Sequence, residues 1–114
     1  ETIRRVYNRF GYLMDTHTAV AYGVYEQYRQ ETGDRRFNVI VSTASPYKFN
    51  RAVGEAILPN REQVDEIALL EEIQTLTGVT IPQGLRNLDQ KPLRFKEVIE
   101  KDEMKSALLS YLTL

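Results

Sequence analysis

Three hydroxyl side chains stand together in Ser42-Thr43-Ala44-Ser45. Ser45 precedes Pro46, and that pairing opens helices, with serine as N-cap and proline at the first helical position. A helix start adds unpaired backbone N–H groups and the positive end of a dipole. The residues before the turn, Val39-Ile40-Val41, read as the end of a strand. In open α/β sheets, ligands bind just outside the C-terminal ends of strands. By position, then, this turn is the ligand-contact candidate, with Thr43 at its centre, although capping alone also accounts for Ser45. Upstream stand Asp15 and His17, the only histidine in the chain. An aspartate beside a histidine can work as an acid/base pair. The plainer reading is that both cap a helix.

Other chemistry finds little support. There is no glycine-rich phosphate loop, no G-x-S-x-G elbow and no H-E-x-x-H pair. A lone imidazole without a carboxylate cluster offers no metal site. With no cysteine, the chain has no disulfide, thiolate ligand or cysteine nucleophile. A Schiff-base lysine needs desolvated surroundings. Lys48, Lys91, Lys96, Lys101 and Lys105 all sit among polar neighbours or near loops, so they read as solvated. Glu71-Glu72 and Asp102-Glu103 read as exposed helix charge.

Composition bounds the rest. The chain has 114 residues, 42% hydrophobic and 27% charged, which is ordinary for one globular domain. Its formal net charge is -1, with Lys and Arg interleaved among Asp and Glu, so there is no broad basic field for nucleic acid. No apolar run approaches the roughly 20 residues of a membrane span, and nothing at the N-terminus reads as a signal peptide. The chain opens on Glu1 inside a helical pattern, which is expected of a piece of something longer.

The elements that must position the turn follow from periodicity. Ile3, Val6, Tyr7, Phe10 and Leu13 predict a helix over 2–13. Asp15 is the expected N-cap of a second helix over 16–32, with Val20, Val24 and Tyr28 on one face and Gly33 as its stop. Residues 37–42 predict a strand, apolar on both sides at 39–41. A third helix starts at Ser45-Pro46 and ends at Leu58-Pro59. A fourth is expected over 61–77, capped by Asn60 with Gln63 and closed by Gly78. A loop with a turn at 84–86 leads to a last helix capped by Asp102, with Met104, Ala107, Leu108 and Tyr111 inward. The fold class read from this order is α/β, a mostly helical chain with one main strand whose sheet neighbours come from elsewhere. Residues 1–58 form the α/β part and 59–114 a helical tail.

Gly11-Tyr12-Leu13-Met14-Asp15-Thr16-His17-Thr18-Ala19-Val20-Ala21 resembles the GYLLDPHTAVG segment of bacterial threonine synthases. Val39-Ile40-Val41-Ser42-Thr43-Ala44-Ser45-Pro46-Tyr47-Lys48-Phe49 resembles the VVLSTAHPAKF segment of the same family. Leu88-Asp89-Gln90-Lys91-Pro92 and Val98-Ile99-Glu100 fit in order and separation. The resemblance implies the C-terminal portion of a cytoplasmic enzyme of the tryptophan-synthase-β-like superfamily. Such an enzyme has the three-layer sheet of fold-type II, uses pyridoxal 5′-phosphate as electron sink, and converts O-phosphohomoserine and water to threonine and phosphate. It implies that Thr43, or its rival Ser42, contacts the pyridine nitrogen, with Asp15 in support near the ring. It assigns no step to His17 or Thr18.

Two departures bear on the site. Thr16 replaces the family's usual proline, and Ser45 replaces its usual histidine, so no role of that histidine carries over. The family's Schiff-base lysine and phosphate loop lie upstream of these segments. This chain by itself is therefore expected to be inactive, with no catalytic residue of its own and with the remainder of the polypeptide as its partner. Two alternatives stand beside this reading: a self-contained protein-interaction module, and a piece of a related serine/threonine dehydratase. An enzyme piece should have an unpaired strand and an exposed apolar face where the rest would dock. A module should close on itself.

Overall fold

Five helices carry the chain, and the computed structural model describes them within residues 1–61 and 63–112. They are α1 (Thr2–Phe10), α2 (Thr16–Thr32), α3 (Asn50–Ile57), α4 (Glu66–Thr77) and α5 (Met104–Leu112). A single 3₁₀ turn, Pro46–Phe49, leads directly into α3. Shorter 3₁₀ turns occupy Leu88–Gln90 and Lys101–Glu103, the latter leading into α5.

Helix ends follow the local chemistry of each sequence. Asp15 caps α2 by accepting from the backbone N–H of His17 and Thr18. Ser45 caps the Pro46 turn by accepting from Tyr47 N. Gly33 and Gly78 terminate α2 and α4 at φ 68° and 71°, the left-handed region that costs a side-chain-bearing residue most. α1 stops at Phe10, three residues short of the predicted 2–13 helix, because Gly11 already takes the left-handed turn at φ 64°. The fourth helix also starts late. Asn60 sits at φ 56° and is not the cap of α4; that is Asp65, which accepts from Ile67 N and Ala68 N at 2.9 and 3.3 Å. An ionised carboxylate is the stronger acceptor for free helix amides. Residue 62, within the predicted first turn, lies outside the described residues. At the last helix, Glu100 and Glu103 form the capping box, not Asp102.

The expected strand is absent. Among the described residues there is no strand, and the α/β class with one main strand gives way to an all-helical chain. Residues 37–42 carry the β-branched composition of a strand but have no regular structure. Phe37 is 92% exposed, Val39 70% and Val41 75%. A strand exists only against a partner that completes its ladder, and no described segment pairs with this one.

The core lies where α1, α2, α3 and α4 meet. Ile3 and Val6 of α1, Leu13, Met14, Ala19, Tyr47, Val53 of α3, Leu69, Leu70 and Ile73 of α4, and Ile81 form one cluster. Val53, Leu69 and Ile73 are fully buried, each contributing about 1.5–3 kcal/mol of transfer free energy. Polar ties hold the helices in register. Arg4 of α1 donates from Nε to the Ala56 carbonyl at 2.6 Å, supplying the C-terminus of α3, which has no basic residue of its own there. Arg51 donates to Arg61 O and Val64 O, and Asn50 Nδ2 to Glu66 O, which fastens the link between α3 and α4. Arg5 and Glu26 pair across α1 and α2. Both ends are partly exposed, so the pair adds little stability.

Tyr47 is buried, and its hydroxyl donates to the Val79 carbonyl beyond α4. Burial raises its phenol above the ordinary value. Val79 is partly exposed, so water can replace the lost donor. Tyr47→Phe should therefore cost about 1 kcal/mol in urea unfolding. A loss several times larger would mean that the carbonyl stays dry.

The C-terminal region stands away from this core. Between residues 86 and 112 only Ala107 is less than exposed. Met104, Leu108 and Tyr111, expected inward, are uncovered. Phe95 packs edge-on to Tyr111 at 6.1 Å, and Tyr111 donates to Glu97, so the tail is tied mainly to itself. The radius of gyration is 19.1 Å, against about 13 Å for a compact chain of this length.

Candidate functional site

The site is built where the start of α2 meets the 42–45 turn. Asp15 is completely buried. Its Oδ1 accepts from His17 N at 2.9 Å and Thr18 N at 3.2 Å. Its Oδ2 accepts from the Thr18 hydroxyl and, at 3.2 Å, from the Ser42 hydroxyl. Ser42 Oγ also lies 2.9 Å from Thr18 Oγ1, closing a triangle of three side chains. Burial pushes the Asp15 carboxyl up, but the hydrogen bonds from the Thr18 hydroxyl, the Thr18 and His17 amides and Ser42 outweigh it. The carboxyl ends below the ordinary aspartate range and is ionised at neutral pH.

A second contact runs beside the first. The His17 ring packs on Phe49 with centroids 4.9 Å apart at 57°. His17 Nδ1 lies 3.5 Å from Asp15 Oδ1, but the imidazole itself is largely in solvent. Thus the N-terminal turn of α2 holds the hydroxyl turn at Ser42 and the 3₁₀ turn at Phe49.

The three sequence candidates fare differently. Asp15 and Ser42 are brought together across 27 residues. Thr43 is exposed and makes no hydrogen bond with the described residues. Thr18 was given no role by sequence reasoning, yet it is buried and bonds both partners. Its signal was its place three residues after an aspartate N-cap, where a side chain can reach back to the cap. All five lysines are exposed.

The geometry commits the hydroxyls of Thr18 and Ser42. Thr18 has a single hydroxyl hydrogen, which goes to Asp15, and the ionised Asp15 has none to give. The Ser42 hydrogen must therefore point into the triangle, to Asp15 or Thr18. Of the turn's three hydroxyls, Ser45 accepts from Tyr47 N, and Thr43 is the one that makes no hydrogen bond with the described residues, so its hydrogen is open to a ligand. A flat heteroaromatic ring with an acceptor nitrogen fits such a donor. Such a hydroxyl would suit one edge of a cofactor such as pyridoxal phosphate; none of these residues would take its aldehyde or its phosphate.

A family model described as "Threonine synthase, C-terminal" matches residues 18–107. No solved structure matches the chain. No helix among the described residues is long and apolar enough to cross a membrane.

Proposed function

We propose that this chain, which belongs to the threonine synthase C-terminal family, forms part of an enzyme that converts O-phosphohomoserine and water to L-threonine and phosphate. The family match over residues 18–107 carries this reading, since it takes in both the Thr18–Ser42 contact and the Thr43 hydroxyl. Pyridoxal 5′-phosphate, when bound, supplies the electron sink for a γ-elimination followed by addition of water at the β-carbon.

This chain's own residues build a wall of the site. Thr43 donates its hydroxyl hydrogen to the ring nitrogen, and as a neutral partner it leaves that nitrogen largely unprotonated. Asp15 supports the turn from beneath as a buried anion. The Schiff-base lysine and the phosphate loop belong to the remainder of the polypeptide, which is the partner of this region. That remainder also covers apolar side chains left open here, including Phe37, Val39 and Val41. The compartment is the cytoplasm.

Phosphate release from O-phosphohomoserine by the full-length protein is the test, with the 114-residue chain alone expected to be inactive. No release by a full-length protein loaded with cofactor would refute the reaction. In the same protein, Thr43→Ala should weaken cofactor binding and slow turnover by about 1–3 kcal/mol, the range for losing a buried hydrogen-bond partner. An unchanged cofactor spectrum and rate would rule Thr43 out as the ring contact.

A further inference from the structure

Residues 37–44 have no helix or strand to fix them. Every hydrogen bond they make with the described residues ends on one atom, the Ser42 hydroxyl oxygen. That oxygen sits between Thr18 and Asp15, at the capped start of a seventeen-residue helix. The residue after it is Thr43, whose hydroxyl is uncommitted.

We infer that Thr18 and Ser42 are positioning residues: with Asp15 they form a hydroxyl clasp that ties residues 42–44, which make no other hydrogen bond with the described residues, to α2 and so presents Thr43 to the cofactor ring. This rests on the cofactor role proposed for Thr43. Neither residue touches the ring. Thr18 anchors the clasp because its own hydrogen is held by a buried carboxylate and its oxygen faces Ser42. Ser42 closes it because its hydrogen is drawn inward, away from any ligand. The clasp therefore makes adjacent hydroxyls unequal, with Ser42 spent on structure and Thr43 left for recognition.

The experiment uses the full-length protein and titrates pyridoxal phosphate by absorbance and fluorescence, alongside amide hydrogen exchange over residues 40–45. The variants are Thr43→Ala, Ser42→Ala, Thr18→Val, Thr18→Ser, and Ser42→Ala with Thr18→Val. Ser42→Ala and Thr18→Val should each weaken cofactor affinity by about tenfold, as for one lost hydrogen bond of ~1.4 kcal/mol. Both should speed exchange in the turn. The double variant should be no worse than either single change, because both break one clasp. Thr18→Ser should bind as the parent does, since it keeps the hydroxyl. Thr43→Ala should weaken binding with exchange unchanged.

If Thr43→Ala weakens binding while Ser42→Ala and Thr18→Val bind as the parent does, the clasp is overturned and the cofactor reading stands. If Thr43→Ala itself binds normally, the cofactor reading fails and the clasp's proposed purpose fails with it. Should Thr18→Val not fold, Ser42→Ala decides the matter alone, since residue 42 lies at the surface.

Discussion

Gly54→Val should destabilise the protein by about 3 kcal/mol or more in urea unfolding, and Gly54→Ala by about 1–2 kcal/mol. A β-carbon at Gly54 would lie 2.8 Å from both Leu69 methyls and 2.9 Å from Leu69 Cγ. Carbon atoms prefer about 3.5–4.0 Å, so Leu69 would have to move. It is fully buried among Val53, Ile73 and their neighbours, so any movement must displace packed side chains. Alanine recovers about 1 kcal/mol of helix propensity, which offsets part of the clash; valine does not, and its branches add to it. The double variant Gly54→Val with Leu69→Ala tests the cause. Leu69→Ala alone should cost about 2–5 kcal/mol by leaving a cavity. In the double variant the new side chain partly fills that cavity, so the loss should fall well short of the sum. Full additivity would mean that α3 and α4 do not meet at these residues. The effect reaches the site because α3 continues directly from the Ser45-capped turn, and a tilted α3 would drag that turn with it.

Local signals were legible and distant ones were not. Asp15, Ser45, Gly33 and Gly78 act through bonds to their own neighbours, so residue type and spacing sufficed to assign them. Asn60 misled because its amide competes with Asp65, and the nearby carboxylate wins the free amides of α4. The 37–42 segment misled for a different reason. β-Branched residues mark a surface that fits a pleated sheet, yet the ladder itself must come from another segment. Val20, Val24 and Tyr28 make the same point on a helix, for they share an apolar face that the described residues leave exposed. Apolar periodicity reports that a face is to be covered, not what covers it. The site divides along this line. The motif segments drew attention to Asp15 and to the turn, but no spacing rule joins residue 18 to residue 42. That contact exists because α1, α2 and α3 pack around one core, bringing the start of one helix beside the approach to another.

That contact carries the other large effect. Asp15→Ala should cost about 2–4 kcal/mol, combining a lost N-cap with hydrogen bonds to a charged acceptor. It strands the amides of His17 and Thr18 and both hydroxyls, and Thr18 is too buried for water to take over. Asp15→Asn should cost less, about 1–2 kcal/mol, since one carbonyl oxygen can still accept from the amides while the hydroxyls turn to accept from its NH₂. The two acceptors separate by pH. The Asp15 carboxyl is held below its ordinary value when folded, so the unfolded chain takes up the proton first as the solution is acidified. Its extra stabilisation is therefore fully present above the ordinary aspartate value of about 3.9, and drains away as pH falls through the lower folded value. An amide has no such titration. The stability gap between the parent and Asp15→Asn should hold steady from pH 7 to pH 5, narrow below about pH 4, and be smallest at the most acidic pH where both still fold. Urea unfolding of the two proteins across that range measures it. A gap that stays flat under acid, or widens, would mean that Asp15 caps α2 as a neutral acid and that the clasp at Ser42 is not organised around a charge.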